Sequence, residues 1–318
     1  MYKNQTLAIV VPCYNEESQI VKVLSTLPEY VDRVYIIDDK SLDKTVEVTQ
    51  NWISTSATPE KYLLIEHEIN SGVGAAIASG YKQAAAEEVD VAVVMAGDAQ
   101  MAPEDLPDIL APVVDEGYDY SKGNRLFTGD AWNMIPRVRY IGNSILSLLT
   151  KIASGYWHIA DSQSGYTAIN KKALKTIQWD EMYKRYGQPN DLLVKLNIYN
   201  FKVKDVPVAP VYNVGEQSGV KPIRMIPRLA LLLLRLFVYR MKEKYIIRDF
   251  HPLLFFYLFG FILFIPGAIL GLDLVITRML GYAVADTSAL FAAFLSIMGV
   301  QFLLFAMWFD MESNKNLK

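Results

Sequence analysis

The sequence predicts an α/β fold with a mostly parallel, doubly wound sheet, followed by interface helices and a two-helix membrane hairpin. Three observations carry this. Short apolar runs at Leu7–Val11, Val34–Ile37, Tyr62–Ile65 and Val91–Met95 each end in a polar turn. Helical patterns lie between them, and strands that alternate with helices build parallel sheets. The mean hydropathy of +0.17 is concentrated in the C-terminal third.

Leu7–Val11 suits a strand buried on both faces. Pro12-Cys13-Tyr14-Asn15 breaks it. Asn15 is placed to cap a helix with Glu16 and Glu17 in its first turn and Ile20, Val21, Leu24 and Leu27 at helical spacing. The second strand ends at Asp38-Asp39, and a helix is expected from about Asp43 to Ile53. After the third strand, Asn70-Ser71-Gly72-Val73-Gly74 turns into an Ala-rich helix over 75–88. The fourth strand stops at Asp98, and Pro103 opens the next helix with acids in its first turn. Tyr118–Lys122 is expected as an edge strand, Gly123-Asn124-Arg125 as a loop and Ile141–Ala153 as a helix. Asp161 to Tyr166 forms a polar turn before a short strand, and the prolines of Val203–Val211 favour a sheet edge.

After Gly219 the chemistry changes. Arg228, Arg235 and Lys242 stand seven residues apart, within about 20° of one another on a helix, beside a leucine-rich face. Such a helix lies in a membrane interface. Two apolar segments follow, about 252–272 and 283–309, each long enough to cross ~30 Å of hydrocarbon. Lys242, Lys244 and Arg248 precede the pair, and Lys315 and Lys318 follow it. By the positive-inside rule both flanks, and with them both termini, are cytoplasmic. The expected division is 1–219 catalytic, 220–249 interface helices, 250–312 hairpin and 313–318 cytoplasmic tail.

Composition excludes other classes. A single cysteine permits no internal disulfide and suits a reducing compartment. The three histidines show no metal-ligand spacing, and the N-terminus shows no signal-peptide pattern. A net charge of -3 gives no reason to propose a nucleic-acid partner. The first strand is not followed by a Gly-rich dinucleotide fingerprint, Gly72-Val73-Gly74 lacks its third glycine at Ile77, and no P-loop is present.

In a parallel sheet the polar strand ends converge on one edge, where open α/β folds keep their ligands. Tyr14 to Glu17, Asp38-Asp39, Asn70 to Gly74 and Asp98-Gln100 would meet there. Acids gathered at one place repel unless a cation or donor groups share the site; a hard divalent ion is the economical answer, since Mg²⁺ bridges a few protein oxygens to phosphates. The glycines at 72 and 74 would let a nucleotide approach the backbone.

The ordered set Val11-Pro12-Cys13-Tyr14-Asn15-Glu16-Glu17, Asp38 to Thr45, Asn70 to Gly74 and Asp98-Ala99-Gln100 resembles family 2 glycosyltransferases of the GT-A fold. With Gly123-Asn124-Arg125, Asp161 to Tyr166 and the two-helix tail, it is similar to the polyprenyl-phosphate branch that includes dolichol-phosphate mannose synthase. The resemblance spans roughly residues 5–225. It implies inverting transfer of a sugar from a nucleoside diphosphate, UDP or GDP, to undecaprenyl or dolichyl phosphate, with UDP and undecaprenyl favoured, and it permits a tetramer.

It also implies roles. Pro12, Tyr14, Glu16 and Asp39, with Asn70, Gly72 and Asp98, match donor-binding positions. Asp98 and Gln100 match the second acid and the glutamine of an Asp-x-Asp-x-Gln pattern that holds Mg²⁺ or Mn²⁺. Ala96 replaces the first acid, which leaves the degree of metal dependence open and motivates a second reading, a catalytically silent membrane-tethered sugar-nucleotide binder. Arg125, Arg139 and Lys221 match cations for the acceptor phosphate, with Arg137 competing with Arg139. Asp191 stands where relatives acting on hydroxyls keep a base. Here it is assigned to orienting acceptor or sugar, with an ion-paired structural role as the alternative. A processive polysaccharide synthase ranks last, because its Gln-x-x-Arg-Trp motif is absent.

Overall fold

Every residue from Leu7 to Cys13 is buried, and these seven form β1 in the interior of the molecule's sheet. The structure, a computed structural model, describes residues 1–126, 137–209 and 222–318. In chain order it contains α1 (Ile20–Ser25), β2 (Arg33–Asp38), α2 (Thr45–Thr55), β3 (Tyr62–Glu66), α3 (Val73–Ala86), β4 (Val91–Val94) and α4 (Leu106–Val114). Then come β5 (Tyr120–Asn124), α5 (Arg137–Ser154), β6 (Thr167–Asn170), α6 (Lys171–Thr176), α7 (Gln188–Ile198) and β7 (Val203–Pro207). The helices α8 (Pro222–Lys242), α9 (Leu253–Met279) and α10 (Asp286–Ser313) complete the chain. It divides into two compact units, Met1–Phe237 with Leu317–Lys318, and Val238–Asn316.

The seven strands of the first unit run in the order β3-β2-β1-β4-β6-β5-β7. Alternate side chains of one strand feed opposite cores, since successive Cβ atoms point to opposite faces. Ala8 and Val10 join Tyr35, Ile37, Ala92 and Val94 on one side. Leu7, Ile9 and Val11 join Val34, Ile36, Val91 and Val93 on the other. Burial on both faces is why these strands are legible as unbroken apolar runs.

The pairings β1 with β2, β2 with β3 and β1 with β4 are parallel. β6 runs antiparallel between β4 and β5. It therefore enters the sheet at the edge where β1, β2, β4 and β5 leave it, and carries the turn 161–166 to that edge. β5 is interior, flanked by β6 and β7, so the expectation of an edge strand at 118–122 is corrected. β7 is the edge, as its prolines predict.

The start of α1 also differs from expectation. Asn15 has φ +58 and its Oδ1 accepts from the backbone N–H of Leu42 at 2.7 Å, so it braces two loops against each other instead of capping a helix. The helix begins at Ile20.

In the second unit α9 and α10 have mean hydropathies of 2.5 and 2.2 and are long and apolar enough to cross a membrane. Most of their apolar surface is exposed, including Phe259, Ile262, Ile269, Leu290 and Phe294. Small residues bring them together: a Cβ at Gly260 would meet the Leu303 side chain, and one at Gly299 would overlap the Phe264 backbone. Beyond their contact, buried Arg240 pairs bidentately with buried Asp310 at 2.8 and 2.9 Å. Tyr245 donates to Asp310 at 2.7 Å, and Lys244 to Asn314 Oδ1 at 2.7 Å. These charges are tolerated in an apolar setting because each is matched by a partner.

Candidate active site

The strand order reverses between β1 and β4, and the crevice outside such a reversal is where doubly wound sheets bind ligands. Glu16 follows β1 and Asp98 follows β4, so the topology sets them side by side. Half-buried Glu16 registers its neighbour: burial first, then the charges of Asp98 and Asp43, push its carboxyl up to about 7. The folded chain thus holds a proton there that the unfolded chain has released. The group favours folding in acid and loses that contribution as pH rises from about 4.5 to about 7. Glu16→Gln is expected to flatten the fall in melting temperature across that window. Parallel wild-type and variant profiles would show that the Glu16 carboxyl is not raised in the folded chain.

The loop after β4 is tightly turned. Asp98 Oδ1 accepts from Gln100 N at 3.1 Å, Ala99 holds φ +58, and Ala96 N–H donates to the Met101 sulfur at 3.2 Å. Tyr166 donates its hydroxyl to Ala102 O at 3.0 Å, fastening this loop to the segment entering β6. Left-handed backbone recurs along the same edge, at Asn15, Lys40, Ala99 and Asp161. Such conformations cost ~1 kcal/mol or more each and gather where a site needs side chains aimed.

Across the sheet, Arg125 follows β5. Its Nε and Nη2 donate to Asp161 Oδ2 and Oδ1 at 2.7 and 3.0 Å, and its backbone N–H donates to Oδ2 at 3.0 Å. Asp161 is fully buried. Burial works to raise its carboxyl, yet Arg125 holds it below the ordinary carboxylate range. Beneath them buried Lys122 donates to Asp161 O at 2.7 Å and Ala160 O at 3.0 Å, with Asp205 Oδ1 3.6 Å away. A cation therefore reaches this edge on a rigid, ion-paired base. The sequence marked Arg125 and the 161–166 turn separately; their pairing across 36 residues is visible only in the fold.

On the β2–β3 side, buried Asp39 accepts from Ser71 N at 2.8 Å and Gly72 N at 2.7 Å, tying down the loop that bears exposed Asn70. Pro12 is buried and Tyr14 is exposed at the end of β1. The glycines have a different use from the one expected. A Cβ at Gly72, where φ is +101, would lie 2.5 Å from Lys184 O, and one at Gly74 would overlap Tyr183 O. What approaches them is the protein's own 183–188 segment, with Ala75 N donating to Lys184 O at 3.1 Å. That contact carries exposed Lys184 and Arg185 to the loop, cations that no local pattern marked.

Of its two readings, Asp191 has the geometry of the ion-paired one. It is buried, and its Oδ2 accepts from Lys195 Nζ at 2.9 Å and Tyr183 N at 2.7 Å. Arg139 lies in the first turn of α5. Its side chain, that of Arg137, and all of Lys221 fall outside the described residues.

Comparison with known proteins decides the family. The sequence profile of glycosyl transferase family 2 matches residues 8–178, more than half of the chain. The chain belongs to glycosyl transferase family 2. Among relatives of this glycosyltransferase is the UDP-N-acetylglucosamine–dolichyl-phosphate N-acetylglucosaminyltransferase of Methanococcus voltae, 30% identical over 66% of this chain and 87% of the relative. The undecaprenyl-phosphate mannosyltransferase of Micrococcus luteus is 27% identical over 63% of this chain and 81% of its own. Glucosyl-3-phosphoglycerate synthase from Mycobacterium tuberculosis, solved with Mg²⁺ and UDP, superposes with a TM-score of 0.52 at 17% identity. It covers 74% of this chain and 79% of its own, and confirms the GT-A fold of the enzyme.

The donor set is all hard oxygen, which suits Mg²⁺ or Mn²⁺. Among the described residues no group of three or more His, Cys, Asp or Glu side chains is placed to hold a metal. With Ala96 where an acid would stand, the protein offers the side-chain oxygens of Asp98 and Gln100. Such a pair fits a cation that phosphate oxygens and water help to coordinate.

Proposed function

We propose that the chain transfers a sugar, with inversion, from a nucleoside diphosphate to a polyprenyl phosphate at the cytoplasmic face of a membrane. The observation that carries this reading is that one sheet edge bears both kinds of group: the carboxyls of Glu16 and Asp98 after β1 and β4, and a braced cation at Arg125 after β5. An anionic donor and an anionic acceptor need both. The names of the relatives, dolichyl-phosphate and undecaprenyl-phosphate transferases, support the acceptor class.

The acceptor needs little activation. A phosphate monoester has its second pKa near ~6 and is mostly dianionic at neutral pH. One of its oxygens attacks the sugar's anomeric carbon, and the bond from that carbon to the diphosphate oxygen breaks on the opposite face. The electron pair leaves with the nucleoside diphosphate. Tyr14, Pro12, Asp39 and Asn70 would hold the nucleoside. Asp98 and Gln100 would hold Mg²⁺ or Mn²⁺, which neutralises charge on the departing diphosphate when bound. Arg125, with Arg139 and Lys221, would draw the lipid phosphate in, since the guanidinium fork matches phosphate oxygens.

The membrane segments support the same task, because a polyprenyl tail stays in the bilayer and its phosphate must be met at the headgroup plane. In this reading α9 and α10 form a hairpin with cytoplasmic ends. α8 exposes Leu231, Leu234 and Val238 alongside Arg228, Arg235 and Lys242, suited to an anionic interface. α5 adds exposed Ile141, Ile145 and Leu148, an apolar stripe at helical spacing.

The test is to supply the full chain in lipid with Mg²⁺, a panel of UDP- and GDP-sugars, and undecaprenyl or dolichyl phosphate. A mass-resolved lipid-phosphate sugar is expected, lost on chelation of the cation. Donor binding without any product would instead select the silent-binder reading that Ala96 motivates.

A further inference from the structure

His67 is used by nothing in the mechanism, yet it is bonded on three sides. Its backbone N–H donates to Asp38 O at 2.9 Å, extending the β2–β3 ladder by one rung. Its ring Nδ1 lies 2.8 Å from Asp39 Oδ1, and its Nε2 lies 2.9 Å from the Ser79 hydroxyl on α3. An ionised carboxylate only accepts, so Nδ1 carries the proton in the Asp39 contact. Nε2 is then left to pair with the Ser79 hydroxyl.

Asp39 is the hub of this arrangement. Its Oδ1 takes His67 and Ser71 N, and its Oδ2 takes Gly72 N. Three of the roughly four acceptor positions of a carboxylate are therefore filled from inside the protein, and the side chain is 3% exposed. One position on Oδ2 remains, and its direction is set by the other three bonds. Ser71 and Gly72 are held by the same carboxylate that His67 holds. A displaced Asp39 would release both amides and the Asn70 turn with them. Ser79 anchors the far side of the imidazole on a helix whose N-terminal turn is itself pinned by the bond from Ala75 to Lys184.

We propose that His67 is a positioning residue of the donor pocket: its Nδ1–H aims Asp39, and through Asp39 the 70–72 loop, at the nucleoside of the sugar donor. This rests on the reading of that sheet edge as the donor site. The role differs from that of a buried histidine that merely fills space, because each ring nitrogen has its own partner and only one of the two bonds governs the loop.

Two amide substitutions separate the bonds. The Nδ2 of an asparagine occupies about the place of imidazole Nδ1, whereas a glutamine amide reaches about that of Nε2. His67→Gln keeps a partner for Ser79 and loses Asp39; His67→Asn keeps Asp39 and loses Ser79. Titrating the full-length protein with UDP and with GDP, the wild type is expected to bind one of them. His67→Gln should weaken that Kd about tenfold, the usual scale for losing a hydrogen bond to a charged group. Donor KM should rise by the same factor, with kcat and acceptor KM unmoved, and His67→Asn should recover most of the loss. On an Asp39→Asn background the His67→Gln change should add little, since the two act through one contact. A wild-type Kd in His67→Gln overturns the proposal, as does equal weakening in both amide variants. A wild type that binds neither nucleotide overturns the donor-site reading itself, and the proposal with it.

Discussion

Asp98→Asn is expected to lower sugar transfer by about 10³-fold, the scale on which removing one electrostatic stabiliser of a developing anion acts. Asparagine keeps the size of the side chain and an oxygen to accept from Gln100 N, so the turn that Ala99 makes at positive φ is preserved. What it removes is the charge. With Ala96 two residues earlier, no second acid of the pattern remains to take over. The variant should also lose the cation-dependent part of nucleoside diphosphate affinity while keeping the cation-independent part, measured by titration with and without Mg²⁺. Relief of the Asp98 charge should at the same time bring the Glu16 carboxyl down from about 7, which gives an internal check that the substitution acted where intended. Wild-type turnover in Asp98→Asn would remove the cation from the mechanism.

How far the sequence leads depends on whether the cause of a feature is local. β1, β2 and β4 are legible because burial on both faces demands unbroken apolar runs. α9 and α10 are legible because hydrocarbon thickness fixes the length of an apolar helix. Asp98 and Glu16 are legible because parallel strands bring their C-terminal ends together. The rest depends on contacts between distant segments. Asn15 looks like a helix cap until Ser41 and Leu42 are seen against it, with its N–H donating to the Ser41 hydroxyl and its Oδ1 accepting from Leu42. β5 looks like an edge until β7 pairs beside it, with Tyr120 against Val203 and Asn124 against Pro207. Gly72 and Gly74 announce a close approach, and only the 183–188 segment tells what approaches. Asp191 carries a position's chemistry in the alignment of motifs, but Lys195 one turn later already offered the ion pair that the fold uses.

Arg125→Ala should cost both stability and activity, and the two losses have different origins. The substitution strands the Asp161 carboxylate, which is 0% exposed, without its bidentate partner. Breaking a buried pair costs ~3–5 kcal/mol, and the figure here falls at or below the lower end because Arg125 itself stays 26% exposed. Neutralising the stranded group as well, in Arg125→Ala with Asp161→Asn, should return most of that stability. Asparagine can still accept from the Arg125 position's backbone N–H, as Asp161 Oδ2 does at 3.0 Å. Transfer should not return. If the guanidinium faces the lipid phosphate with donors that Asp161 does not use, no neutral pair replaces its charge, and turnover stays down by about 10²-fold or more. Recovery of turnover in step with melting temperature would mean that Arg125 serves only to neutralise Asp161. The acceptor phosphate would then have to be met by other cations of the same edge.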